Sequence, residues 1–141
     1  MGFRIQNKNS QLFLRPLAAT QGAPVFQDDD RNPQDLVFES ESLAGGGIKI
    51  RWAPSSMLYL CISWSCMDNG GQLFVLSNPV APRRCFTFAA EEPDAAGWFF
   101  LKVVDSGKYL CVPGSWTDPK VSVTQGTKSD AASFRWRFVT V

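Results

Sequence analysis

Lys108-Tyr109-Leu110-Cys111-Val112-Pro113 has two earlier counterparts in the chain, Leu12-Phe13-Leu14-Arg15-Pro16 and Leu58-Tyr59-Leu60-Cys61-Ile62. In each, a bulky ring is followed by leucine inside a short run suited to a β-strand. Each run is preceded by an apolar-rich strand: Phe3-Arg4-Ile5-Gln6, Ile48-Lys49-Ile50-Arg51 and Phe99-Phe100-Leu101-Lys102-Val103. The first two alternate cleanly and the third only in its second half, which is the period of a half-buried strand. Turn formers join the pairs, in Asn7-Lys8-Asn9-Ser10, Ala53-Pro54-Ser55-Ser56 and Asp105-Ser106-Gly107.

Further out, each copy closes on Leu36-Val37-Phe38, Phe86-Thr87-Phe88 or Trp136-Arg137-Phe138, and Phe38, Phe88 and Phe138 lie 50 residues apart in both intervals. A third strand stands between: Ala23-Pro24-Val25-Phe26, Leu73-Phe74-Val75-Leu76 and Val121-Ser122-Val123-Thr124. Four short strands recur three times, and no segment holds helical apolar spacing over about 11 residues. A three-bladed propeller falls below the usual blade count, and a sandwich does not require threefold repetition. The expected fold is all-β: a β-trefoil with pseudo-threefold symmetry, in which six strands close a short barrel and three hairpins cap it. Residues 1–141 form one domain, with copies at about 1–45, 46–96 and 97–141. Leu36, Phe38, Phe86, Phe88, Phe134, Trp136 and Phe138 share one face by period two and are expected in the core, with Phe3, Phe13, Phe26 and Phe74 adding to it.

Composition narrows the function. Apolar residues make up 45% of the chain and charged ones 19%, as in ordinary globular domains. Fourteen basic and 13 acidic residues give a net charge of +1 with no long basic run, so nucleic acid is not an expected partner. No run of about 18 apolar residues offers a membrane span. Met1-Gly2-Phe3-Arg4 opens no apolar signal region, and the expected location is cytoplasmic, or outside the cell by a route without a classical signal peptide. Cys61, Cys66, Cys85 and Cys111 lack the paired spacing of a zinc site and are expected as free thiols. Asp28-Asp29-Asp30 lacks the alternation and glycine of a calcium loop and reads as a solvated turn. No metal or cofactor is expected.

The loops between second and third strands, residues 17–22, 63–72 and 114–120, are equivalent by repetition. Two hold a Ser-Trp pair, Ser63-Trp64 and Ser115-Trp116, followed by polar residues. An indole can cover the apolar C–H face of a sugar while short polar side chains bond its hydroxyls. The candidate carbohydrate-binding residues are therefore Trp64, Asp68, Asn69 and Gln72 in one loop, and Trp116, Asp118 and Lys120 in the other. The first loop has only Thr20 and Gln21 and no aromatic. Trp52 and Trp98 read as packing residues.

The repeat with Lys108-Tyr109-Leu110 after Ser106-Gly107 resembles β-trefoil proteins, including ricin-B-type lectins and fascins. Leu36-Val37-Phe38-Glu39 through Gly47-Ile48-Lys49-Ile50-Arg51 to Leu58-Tyr59-Leu60 resembles the amaranthin-type agglutinin domain, and fungal trefoil lectins of similar length are also similar. These resemblances imply a lectin for galactose- and N-acetylgalactosamine-containing glycans or glycoproteins, the T-antigen disaccharide among them, working as a homodimer. The Gln-x-Trp signature of ricin-B repeats is absent, so no site residues carry over from that family. Catalysis is not expected: the chain has no histidine and its carboxylates sit in polar segments. The alternative is a protein-binding trefoil, a protease inhibitor or fascin-like module, presenting Asn78-Pro79-Val80-Ala81-Pro82 as a stiff loop.

Overall fold

Alternation in Ile48–Trp52 turns Ile50 and Trp52 into the interior and Lys49 and Arg51 to the opposite face, and the same logic builds the rest of the barrel. The computed structural model describes residues 2–55, 57–62, 67–77 and 85–141. Six strands pair antiparallel in a closed ring: β1 (Phe3–Asn7), β4 (Phe38–Ser42), β5 (Ile48–Trp52), β8 (Phe88–Glu91), β9 (Phe99–Val103) and β12 (Arg135–Thr140), which returns to β1. Closure leaves the ring without a free edge. Three hairpins branch from it: β2 (Phe13–Pro16) with β3 (Val25–Asp28), β6 (Leu58–Ile62) with β7 (Leu73–Ser77), and β10 (Lys108–Cys111) with β11 (Thr124–Gly126). Single 3-10 turns at Pro33–Leu36, Pro113–Ser115 and Ala132–Phe134 complete the described elements, and among the described residues no helix is long and apolar enough to cross a membrane.

The hairpins join through the bridges Pro24↔Phe74, Phe26↔Ser122 and Gln72↔Thr124. These bridges and the barrel registers fix the threefold equivalences. Ile5, Ile50 and Leu101 are equivalent and fully buried, as are Leu14, Leu60 and Leu110, and Val25, Leu73 and Val123. Core positions repeat, and surface positions need not.

Two sequence expectations change here. The third member of the Phe38 and Phe88 set is Trp136, which pairs with Phe99 as Phe38 pairs with Phe3 and Phe88 with Ile48. All three are fully buried, whereas Phe86, Phe134 and Phe138 are only half-buried. Period two places Trp136 and Phe138 on one face, and only barrel register decides which enters the centre. The thiol expectation holds for Cys61 and Cys111, which are free and buried, and fails for Cys85, which is disulfide-bonded. Redox compartment cannot tell which sulfurs the fold brings together. Cys66 lies outside the described residues.

Candidate functional site

The loop of the third copy is shaped by its own sequence before anything holds it. Pro113 opens a single 3-10 turn, and Gly114 takes a left-handed φ of 65°. A Cβ at Gly114 would come within 2.7 Å of Trp116 Nε1, so the indole folds across bare backbone that only glycine provides. Ser115 ties the loop down, its Oγ donating to Ser133 Oγ at 3.0 Å and its carbonyl accepting from Asn9 Nδ2 at 2.9 Å. Trp116 remains 59% exposed, and Asp118 and Lys120 are exposed with it. Trp116, Asp118 and Lys120 are thus three exposed residues of one loop.

The neighbouring copy fixes that arrangement. Gln27, fully buried at β3, donates from Nε2 to the carbonyls of Trp116 at 3.0 Å and Asp118 at 2.8 Å. Its Oε1 accepts from Ser10 Oγ at 2.7 Å, which orients the amide. Gln125 repeats the device for the second loop: Nε2 donates to the Asp68 carbonyl at 2.8 Å, and Oε1 accepts from Ser106 Oγ at 2.8 Å. Buried amides oriented by a serine hydroxyl and donating to loop carbonyls rigidify that loop. The equivalent position in the second copy is Val75, facing the first loop. There Gln21 of the loop itself exchanges bonds with Ser77, donating to its Oγ and accepting from its N–H. The two loops with a Ser-Trp pair are the two held by a buried glutamine.

Asp68, Asn69 and Gln72 are exposed in the second loop, with Asn69 Oδ1 accepting from Thr127 Oγ1 at 3.2 Å. Trp64 lies outside the described residues, as does Asn78 through Pro82. Trp116, Asp118 and Lys120 are thus exposed on one loop, and Asp68, Asn69 and Gln72 on another, at different boundaries between copies. Trp52 and Trp98 are buried as expected, Trp52 donating from Nε1 to the Asp35 carbonyl at 2.8 Å and Trp98 lying under the Arg137 guanidinium at 4.3 Å.

Solved structures match this fold closely although their sequences do not. ThreeFoil, a designed threefold-symmetric protein, aligns with TM-score 0.90 and 19% identity over 99% of both chains. The ricin B-like lectin of Macrolepiota procera, solved in complex with lactose, aligns with TM-score 0.81 and 16% identity over 99% of this chain and 94% of its own. The fold is a β-trefoil. A trefoil of this shape also forms 30% of the exo-beta-1,3-galactanase 1,3Gal43A from Clostridium thermocellum, at TM-score 0.90 and 19% identity over 99% of this chain. No family profile and no curated protein sequence matches the chain.

Within the trefoil, the acidic run corrects a sequence expectation. Asp28 is buried in β3 and paired with Arg15 at 3.0 Å, not solvated; only Asp29 and Asp30 approach the surface. Arg31 hydrogen-bonds Asp29 and holds its carboxyl below the usual range. The sequence reading missed Gln27, Gln125, Arg15 and Asp28. One signal of position was available, though not of partner: Gln27 and Gln125 each stand two residues beyond a buried valine, Val25 and Val123, and so on the same inward face by period two.

Proposed function

We propose that the protein is a lectin that binds galactose- or N-acetylgalactosamine-bearing glycans, such as the T-antigen disaccharide, through its second and third loops. The observation that carries the reading is the pairing of each Ser-Trp loop with a buried glutamine from the next copy. Preorganised loops with exposed aromatic and polar groups bind without a large ordering cost. Trp116 covers the apolar face of the sugar, and Asp118 and Lys120 bond its hydroxyls. The Macrolepiota procera lectin, solved with lactose, supports a galactoside as ligand. Each site is shallow, and display on two loops or in a homodimer raises avidity. The reading is binding rather than catalysis.

The test is a glycan array followed by titration with galactose and N-acetylgalactosamine. Trp116→Ala is expected to weaken binding about tenfold, equivalent to about 1.4 kcal/mol. Its stability should stay within about 0.5 kcal/mol, because the indole is mostly exposed. Retention of no glycan, or unchanged affinity in the variant, rejects the reading.

A further inference from the structure

The first copy holds a charge pair, with its carboxylate buried and its guanidinium partly exposed, at strand positions where the other two have none. Asp28, 4% exposed, accepts from Arg15 Nη1 at 3.0 Å, and Arg15 Nη2 reaches Asp35 at 3.4 Å. By strand register, the equivalents of Arg15 are Cys61 and Cys111, and those of Asp28 are Leu76 and Gly126. The trefoil is therefore built twice without these charges. A buried carboxylate paired with a partly exposed guanidinium adds little net stability over apolar residues, so folding alone does not account for it.

The pair forms one wall of a cleft of about 250 Å³, lined further by Asp29, Arg31, Asn32 and Lys120. Arg31 is committed to Asp29, with Nη2 to Oδ2 at 2.7 Å. Lys120 arrives from the third copy, its N–H donating to the Gln27 carbonyl at 2.7 Å. Gly22 and Gly70 make the equivalent bonds to Val75 and Gln125. All three positions are left-handed, with φ of 72° at Lys120, 77° at Gly22 and 84° at Gly70. Glycine suits such backbone and lysine does not, so this side chain stands where the fold itself favours none. Its ammonium lies 5.2 Å from the Phe26 ring centroid, and among the described residues it has no carboxylate within ion-pair distance.

We propose that this cleft, which meets the third loop at Lys120, binds a saccharide carrying a negatively charged substituent, a carboxylate or a sulfate ester. Arg15 is taken up by Asp28 and Asp35 and Arg31 by Asp29, so among the cations lining the cleft Lys120 is the one with no carboxylate partner. Arg31 and Asn32 add N–H donors, and charge-assisted bonds to an anionic oxygen are the stronger kind. The volume lies just below the roughly 300–1,000 Å³ of pockets for drug-sized ligands, which suits a single sugar unit. The saccharide part rests on the glycan-binding reading above; the anion part stands on the charges of the cleft.

The experiment is an NMR titration of backbone amides in the full chain with galactose 6-sulfate, galacturonate, methyl β-galactoside and sodium sulfate. The acidic sugars should shift Arg31, Asn32 and Lys120 and bind at least about tenfold more tightly than the neutral galactoside. A preference for only one of them supports the site and identifies its substituent. Arg31→Gln should abolish that preference while leaving neutral galactoside affinity unchanged. Lys120→Gly should abolish it too, with a melting temperature no lower than that of the native chain. Equal affinity for neutral and acidic galactosides overturns the cleft site and leaves the glycan reading standing. Sulfate shifts without sugar binding reject the glycan reading and overturn the saccharide proposal, reducing the cleft to a simple anion site. Silence toward every probe overturns both.

Discussion

Gln27 concentrates three hydrogen bonds on one fully buried side chain, and two of them end on the backbone of a loop from another copy. Valine at the equivalent position 75 shows which substitution the packing tolerates. Gln27→Val should therefore fold while releasing the carbonyls of Trp116 and Asp118. We expect a loss of about 1–2 kcal/mol in urea unfolding, the range for removing a buried hydrogen-bonded group. Affinity for galactosides at the third loop should fall by roughly tenfold as its ordering cost returns. Unchanged affinity together with unchanged amide exchange at Asp118 and Lys120 would show that the loop holds itself. Trp116 was legible from sequence, because an indole among turn residues is conspicuous whatever lies around it. Gln27 was not, since its partners are backbone atoms 89 and 91 residues away and carry no residue-type signature.

At the scale of elements, strands were easier to see than their phase. The alternation in Ile48–Trp52 and the turn formers beside it identify strand and turn, because both signals are local. The place of each strand on the barrel is set by partners far along the chain. Phe138 illustrates this: its regular spacing from Phe88 suggested equivalence, yet it stacks on Phe3 at 4.2 Å and meets Phe99 edge-on at 5.0 Å, beside the core and not at its centre. Trp136 occupies the centre, with Nε1 donating to the Leu110 carbonyl at 2.9 Å. Since Phe38 and Phe88 fill the equivalent positions, Trp136→Phe should cost only about 1–2 kcal/mol for the lost bond and ring volume. Trp136→Ala should cost about 3–5 kcal/mol. Chemical denaturation of Phe138→Ala beside these variants checks the assignment. If Phe138→Ala proved the more damaging truncation, the register of β12 would be wrong.

For the whole molecule, ionisation outside the candidate sites sets the pH range of stability. Asp94, at the end of the second copy, ties it to the first and third: Oδ2 accepts from Lys8 Nζ at 2.7 Å, and Oδ1 accepts from the N–H groups of Ala96 and Trp98 at 3.0 Å each. The Lys8 bond leads these effects, and together they hold the carboxyl at about 2, against 3.8 when unperturbed. Because the folded value is the lower, this stabilisation is present above about pH 4 and is lost as pH falls toward 2. The alkaline side runs the other way. Burial, then the bond from Tyr109 to Glu91, pushes the Tyr109 phenol up to about 12, and burial pushes the Cys61 thiol up to about 12. The unfolded chain ionises first at both, from the ordinary 10.0 and 9.0, so stability declines as pH rises from about 9 toward 12. Thermal unfolding across this range should give a plateau between the two limbs. Asp94→Asn should lower the plateau and flatten the acid limb, while Tyr109→Phe should flatten the alkaline limb, as phenylalanine already serves at the equivalent Phe13. An acid limb equally steep in Asp94→Asn would assign it to other carboxylates and remove the Lys8–Asp94 link from the account.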